Sequence, residues 1–331
     1  MQRIFPNQNK YLIKKLKLKK MKKFTYIIAT LCVVAIGTAI FIGCEKEDVT
    51  KNELDREITY HKTIPSESEL LEIDLISADI ASFHDICVSN YTNEFGLDNP
   101  LNEDMYENII SYIITELINY PTLYDATIED PNSQYILDYN TYIEYLNNFS
   151  LTNCLNNIKS NAGDSCPNDI YDAELIGQKC EHIENHIQNL IINSNSYEEF
   201  KDSYDQMVDS IIPLNNINNY AFVRIFADIF ASSCMTWGNY YYQEPIVLFH
   251  QKETSWWEKA KATASNAWNA VKPVAKADAN GAITSTASVI VYVAVSTAAT
   301  GGTVAPITGT ALAATAAAGA VSSSIGHVLN Y

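Results

Sequence analysis

Residues 279–331 read ANGAITSTASVIVYVAVSTAATGGTVAPITGTALAATAAAGAVSSSIGHVLNY, a stretch of 53 residues that contains no Asp, Glu, Lys or Arg. Two apolar arms, 281–299 and 307–329, flank a turn that contains Gly301, Gly302 and Pro306. Each arm approaches the roughly 20 residues that a helix needs to cross a bilayer. We therefore expect a C-terminal apolar helical hairpin over residues 279–331.

The composition of this hairpin leaves its environment open. Ala, Gly, Ser and Thr dominate both arms, and small residues let helix backbones approach closely in membranes. Ala and Thr insert into bilayers much less readily than Leu, so the hydrophobicity is modest. The arms could contact a membrane, lie buried in the core of the protein, or associate with a second copy.

The preceding segment, residues 251–278, is locally basic and carries three of the four tryptophans. We predict an amphipathic helix here, because indoles favour headgroup depth and lysines contact anionic lipids. The alternative is a linker helix packed on the rest of the protein. The membrane-interface candidates are Trp256, Trp257, Trp268, Lys259 and Lys261.

A basic aromatic helix followed by an uncharged Ala/Gly-rich hairpin is similar in composition to the membrane-active segments of bacteriocins and colicin-like pore formers. This resemblance covers only the C-terminal part of the chain and contains no diagnostic motif. It implies insertion into bilayers as an expectation, and it transfers no functional residue.

Residues 66–250 have the spacing of helices and form an acidic ectodomain in this interpretation. Ser66 with Glu69, and Ser196 with Glu199, are capping boxes that open helices, and Asn102 is a third N-cap. Apolar stripes follow each cap, and the run 220–234 looks buried on most sides. Alternation typical of strands is scarce, with 246–249 as the best short candidate. The sequence thus predicts a mainly α fold, an irregular helical bundle with the C-terminal hairpin attached.

The charge of the chain is distributed very unevenly. All nine basic residues before Cys44 lie in a stretch without acids, so the chain from Cys44 onward has 13 basic residues against 39 acidic ones. Its net charge is near −26. Because nucleic-acid affinity depends on neutralising phosphates with Lys and Arg, we expect no nucleic-acid partner.

Residues 21–43 have the design of a signal peptide, with Met21 and two lysines followed by an apolar run. If Met21 rather than Met1 is the start, residues 1–20 are an upstream extension. The apolar run is also long enough for an uncleaved transmembrane anchor, which is the alternative.

The apolar run ends in Phe41-Ile42-Gly43-Cys44, which resembles the bacterial lipobox. In that family the Cys sulfur receives diacylglycerol and the signal is cut before it, so the resemblance implies a covalent lipid on Cys44 and, in 44–65, a lipidated tether. Phe41 departs from the usual Leu at its position. We expect no other cofactor.

Directly after Cys44, a lysine is followed by two acids: Lys46, Glu47 and Asp48. This pattern resembles the surface-export signal of Bacteroidetes lipoproteins. It implies a location in the bacterial cell envelope, at the outer membrane and on the cell surface. The alternative is an ordinary polar tether.

Candidate chemistry is sparse. His182 and His186 lie four residues apart on a predicted helix and could bind zinc, although the segment is not an HExxH motif. The alternative is the solvated side of a packed helix.

Five later cysteines include no CxxC pair, and their disulfide pairing stays open. They are Cys87, Cys154, Cys166, Cys180 and Cys234.

No nucleophile elbow, P-loop, dinucleotide fingerprint or EF-hand loop occurs in the sequence, so we expect a protein that is not an enzyme. The favoured hypothesis is a lipid-anchored surface lipoprotein of binding or structural type, whose hairpin serves membrane contact or self-association. The alternative is a membrane-active antibacterial or competition factor whose hairpin inserts into bilayers. A third hypothesis is an enzyme whose site is assembled from scattered residues.

Overall fold

The structure is a computed structural model that describes residues 65–96, 101–120, 123, 150–163, 166–167, 169–213, 215–241, 254–299 and 310–330. All of these belong to one compact unit, Ile58–Tyr331. The predictions at Cys44, Lys46, Glu47 and Asp48 lie outside the described residues, as do the turn residues Gly301, Gly302 and Pro306 and the strand candidate at 246–249.

The described part of the chain is helical and contains no strand, which confirms the prediction of a mainly α helical bundle. Its helices, in chain order, are α1 Glu67–Phe95, α2 Glu103–Ile118, α3 Leu151–Asn161, α4 Ala173–Asn193, α5 Tyr197–Ile211, α6 Ile217–Tyr241, α7 Thr254–Asn266, α8 Trp268–Ala299 and α9 Thr310–Asn330.

The predicted N-caps begin three of these helices. The Ser66 hydroxyl accepts from the Glu69 backbone N–H at 3.4 Å, and the Glu69 carboxylate accepts from the Ser66 N–H at 2.8 Å. The Asn102 side chain accepts from the Met105 N–H at 2.9 Å. At α5, Ser196 accepts from the Glu199 N–H at 3.2 Å. There the second half of the box differs, because the Glu199 carboxylate accepts from the N–H of Asn195 instead of that of Ser196.

Helix α6 lies at the centre of the bundle, with α1, α4, α7 and α8 packed around it. Phe222, Phe226 and Phe230 are fully buried along its length, which confirms that the apolar run 220–234 is enclosed. Apart from Arg224 and Asp228, which are partly exposed, the run has no solvent face, and this explains its weak amphipathic periodicity.

Helices α8 and α9 pack against each other, and both also contact α1 or α6 in the core. Their backbones touch at one crossing point. A Cβ atom added to Gly281 would lie 2.5 Å from the Gly319 carbonyl oxygen, and one added to Gly319 would collide with Ser285. The two glycines therefore permit a close approach of the helices, as expected for small residues at a helix interface.

The helix boundaries before the hairpin differ from the prediction. One helix was expected over 251–278 and another from 281, but α7 ends at Asn266 and α8 runs without interruption from Trp268 across position 278. Composition changes sharply at 278, yet α8 continues through Asn280 and Gly281, a pair typical of turns, and Gly281 packs closely against α9. The change in polarity marks a change of environment along one helix, not the end of the helix.

The arms of the hairpin are buried but not uniformly apolar. Within the described residues, polar side chains are enclosed along both helices: Asn280, Thr284, Ser285, Thr286, Thr315, Ser322, Ser323 and Ser324. Across the residues with described placement, none of the helices combines the length and hydropathy that crossing a bilayer requires.

Candidate functional site

A network of charged and polar side chains lies in the core where α1, α6, α8 and α9 meet. His84 and Asp85 come from α1, and Asp278 comes from α8. All three are at most 1% exposed. Charged side chains are rarely enclosed unless they are paired, so this cluster is the most unusual feature of the core.

His84 is held between two carboxylates. Its Nδ1 lies 3.1 Å from an oxygen of Asp85, and its Nε2 lies 3.2 Å from Oδ2 of Asp278. The Nε2 atom is also 3.2 Å from the Ser324 hydroxyl on α9. The imidazole therefore connects the first described helix with both helices of the C-terminal hairpin.

Helix α6 supplies the remaining donors. Ser232 donates to Oδ2 of Asp85 at 2.5 Å, and Ser233 donates to Oδ2 of Asp278. The indole N–H of Trp237 lies 3.1 Å from the same Asp278 oxygen and 2.9 Å from the Ser324 hydroxyl. Several donors thus converge on one oxygen of Asp278 and satisfy it in the core.

The electrostatics favour a protonated His84. Burial by itself lowers the pKa of this histidine, but the hydrogen bonds and negative charges of Asp278 and Asp85 outweigh it and raise the pKa to about 9. At neutral pH the imidazolium therefore binds both carboxylates. The other oxygen of Asp278, Oδ1, is buried without a hydrogen-bond partner.

The Ser324, His84 and Asp85 side chains have the order of contacts found in a hydrolase triad. Two observations argue against that chemistry. A histidine whose pKa is raised to about 9 is already protonated at neutral pH and cannot accept the serine proton. All three side chains are also enclosed, so no substrate carbonyl reaches the hydroxyl in this arrangement. The arrangement is suited to holding four helices together.

A second buried ion pair joins α4 to α8. Glu184 is 6% exposed, and its carboxylate lies 2.8 Å from the Lys276 ammonium and 3.8 Å from that of Lys272. The basic residues at the start of α8 therefore contact the bundle. From the sequence alone, Lys272 and Lys276 belong to the basic segment 251–278 that was expected at a membrane. The spacing of residues along the chain could not identify Glu184, on the distant helix α4, as their partner.

The two histidines of the metal hypothesis lie together on the outer side of α4. Their rings stack with centroids 3.9 Å apart, and the pKa of His182 is lowered by partial burial and by the neighbouring His186. Cys180 lies buried in the core. In the described part of the chain, no group of three or more His, Cys, Asp or Glu side chains is arranged to hold a metal ion.

Two of the membrane-interface candidates are core residues in this structure. Trp257 is 2% exposed, donates to the Ser194 carbonyl at 3.3 Å and packs against Phe200 with ring centroids 5.3 Å apart. Trp268 is buried against Phe230. The arrangement matches the alternative of a helix packed on the bundle, and neither indole is at the surface of this fold.

Lys261 is half-buried on α7, and the side chains of Trp256 and Lys259 lie outside the described residues. Membrane contact by this segment stays a prediction.

The five later cysteines are all free thiols here. Burial raises the pKa of Cys180 and Cys234, which makes these thiols poor nucleophiles.

Sequence reasoning missed the buried network, although signals for it exist. His84 and Asp85 interrupt the apolar stripe formed by Ile80, Phe83 and Cys87, and two serines interrupt the apolar run of α6. Polar residues at positions that periodicity assigns to the core need partners.

Comparison of the chain with protein-family models, curated proteins and solved structures gave no match.

Proposed function

We propose that the protein is an exported bacterial lipoprotein, held at the outer membrane by acyl chains on Cys44 and displayed on the cell surface. Its helical body is of non-enzymatic, binding or structural type. The lipobox ending at Cys44 supports the anchor, and Lys46, Glu47 and Asp48 support the display. The net negative charge of the body repels phosphates, which supports a function that does not involve binding nucleic acid.

One observation carries the non-enzymatic part of the proposal. The most deeply buried cluster of ionisable groups within the described residues, formed by His84, Asp85 and Asp278, is sealed in the core. General acid–base and nucleophilic catalysis need such groups within hydrogen-bond reach of a substrate. A sealed cluster whose histidine is bound at both ring nitrogens supports a structural role, in which it fastens the C-terminal hairpin to α1 and α6.

In this proposal the hairpin is first of all the core of the body. Its glycine crossing and buried polar side chains suit helix–helix contacts within the bundle. Membrane contact or self-association would then involve surfaces that stay exposed, such as the outward side of α8 where Tyr292 is 48% exposed.

Lipid labelling tests the anchor. Cells that express the full chain are fed an alkyne-labelled palmitate, and we expect label on the wild type and none on Cys44→Ala. Cys154→Ala, which removes a half-buried cysteine of the body, serves as the matched control and keeps the label. A labelled Cys44→Ala protein, or an unlabelled wild type, would contradict the anchor.

Protease shaving of intact cells tests the surface display. The wild type should lose its body to external protease, whereas replacing Lys46, Glu47 and Asp48 with Ala should leave a lipid-labelled but protected protein. A variant that is shaved as efficiently as the wild type would show that these three residues do not direct export to the surface.

The second candidate function is a membrane-active factor, supported by the basic, Trp-containing composition of residues 251–278. A Cβ at Gly238 of α6 would lie 3.0 Å from the Thr263 Cβ of α7, so cysteines at both positions are close enough for a disulfide after a small shift. If α7 must leave the bundle, this staple should block dye leakage from liposomes until a reductant is added.

The control staple joins α3 to α4 through Thr152→Cys and Gly177→Cys, where the corresponding Cβ separation is 3.4 Å. It should leave leakage unchanged. Absence of leakage from the unstapled full chain, on vesicles with and without anionic lipid, would exclude the membrane-active function and leave the first proposal in place.

A further inference from the structure

A polar cleft lies where the end of α3 and the beginnings of α4 and α6 meet. Its volume is about 310 Å³, at the lower end of the range for small-molecule sites. The side chains that matter for recognition are Asn156, Lys159, Asp169, Asp172, Glu174 and Asn215. The cleft is separate from the buried network around His84.

Asparagine side chains fix the walls of this cleft. Asn216 donates to the Asp169 carbonyl at 2.9 Å, and Asn218 donates to the Ile170 carbonyl at 2.9 Å. Asn219 accepts from the Asp172 backbone N–H at 2.9 Å. Three amides thus hold the loop before α4 against the first turn of α6, and a site whose walls are fixed in advance loses little entropy when a ligand binds.

The floor is equally well fixed. The Tyr171 ring is 2% exposed, and its hydroxyl donates to the Leu155 carbonyl at 2.8 Å. The Lys159 ammonium donates to the Tyr171 carbonyl at 3.2 Å and lies 5.2 Å from the centre of the same ring. The ring therefore positions the lysine and offers no open aromatic face on which a flat ligand could stack.

The chemistry of the lining narrows the class of ligand. Amides donate and accept hydrogen bonds, carboxylates accept them, and an ammonium donates. A surface that mixes these groups matches hydroxyls, each of which donates one hydrogen bond and accepts others. The lining contains three carboxylates, those of Asp169, Asp172 and Glu174, and one lysine. Its net negative charge disfavours an anionic ligand. Most of the lining side chains are polar, which disfavours a lipid chain.

We propose that this cleft binds a neutral, polyhydroxylated ligand of the size of one or two sugar rings. This inference deepens the binding part of the proposed function and does not depend on the lipid at Cys44. The cleft would give a surface-displayed body a carbohydrate-binding site.

Saturation-transfer NMR on the full chain in detergent tests the inference. The probes are glucose, galactose, mannose, N-acetylglucosamine and the disaccharides maltose, cellobiose and lactose, with glucuronate as the anionic comparison. We expect at least one neutral sugar to bind with a dissociation constant of about 1 mM or below, and glucuronate to bind more weakly than glucose.

Two variants locate the binding. Asn156→Ala and Glu174→Ala change exposed side chains that do not hold the walls together, so the fold should survive, as circular dichroism can verify. Each should weaken binding about tenfold, the effect of losing about 1.4 kcal/mol of hydrogen bonding. Asn189→Ala, an exposed asparagine on α4 that does not line the cleft, should bind as the wild type does.

The inference is overturned if no neutral sugar binds, if both cleft variants bind like the wild type, or if glucuronate binds more tightly than glucose. Palmitate labelling of Cys44 is measured on the same protein. Failure of sugar binding in a lipid-labelled protein therefore removes this inference alone, while loss of the label removes the anchor alone.

Discussion

The protonated His84 makes a specific prediction for the pH dependence of stability. Its pKa is raised from 6.5 to about 9 by Asp278 and Asp85 in spite of its burial. A group whose pKa is raised by folding stabilises the protein fully below its unfolded value and loses that contribution as the pH rises through the folded value. Stability from His84 is therefore present below pH 6.5 and is lost toward pH 9.

The magnitude follows from the linkage relation. A shift from 6.5 to about 9 corresponds to roughly 3 kcal/mol in acid, and about 2 kcal/mol of this should disappear between pH 6.5 and 8.5. Above pH 8.5 the buried cysteines add a further loss, because thiols such as Cys180 and Cys234 have raised pKa values in the folded protein. The buried thiols contribute less below pH 8.5, so the histidine accounts for most of the decline between pH 6.5 and 8.5.

Urea denaturation followed by circular dichroism measures this effect at pH 6.5, 7.5 and 8.5. His84→Gln should remove most of the pH dependence in this window and destabilise the protein at pH 6.5 by about 3 kcal/mol, because two buried carboxylates lose their counter-charge. Adding Asp278→Asn should recover part of that loss. His186→Gln, which removes an exposed histidine, should change the curve much less than His84→Gln does.

Two results would refute this reasoning. A wild-type free energy of unfolding that is constant from pH 6.5 to 8.5 would mean that His84 is neutral in the fold. A decline of equal size in the wild type and in His84→Gln would assign the pH dependence to other groups.

Three further predictions concern helix packing and can be measured by urea denaturation. Gly319→Ala should destabilise the protein by about 2 kcal/mol or more, because its Cβ would collide with Ser285, whereas Ala270→Ser at an exposed position of α8 should change stability little. Thr284→Val should stabilise by about 1 kcal/mol, since the buried hydroxyl has no hydrogen-bond partner, and a loss of stability would reveal one. Glu184→Gln should cost about 2 kcal/mol through its two lysines, while Glu181→Gln on the exposed side of α4 should be neutral.

Local signals in the sequence predicted much of the secondary structure. The caps at Ser66, Asn102 and Ser196 begin helices as expected, because a cap depends on residues within one turn. The buried run of α6 was also predicted, since apolar residues on every side leave only an interior position. The predicted helix end at residue 278 was wrong, because the change from charged to uncharged residues there was interpreted as the end of a helix.

The buried site could not be predicted in the same way. His84 and Ser324 are 240 positions apart, and Asp85 and Ser232 are 147 apart. Periodicity shows which side of a helix faces inward but not which helix it faces, so it cannot pair residues at such distances. The buried tryptophans illustrate the same limit, because a Trp-bearing basic helix has the same pattern whether it lies on a membrane or on a bundle.

The sequence by itself determined the helical class, the caps, the uncharged C-terminal stretch and the acidic charge of the body, because each depends on composition or on neighbours within a few residues. Only the tertiary structure decided that this stretch packs in the core, that Gly281 and Gly319 meet, and that His84 lies between two carboxylates. These depend on the packing of helices distant in sequence, which brings opposite charges together away from water and so makes their pairing strong.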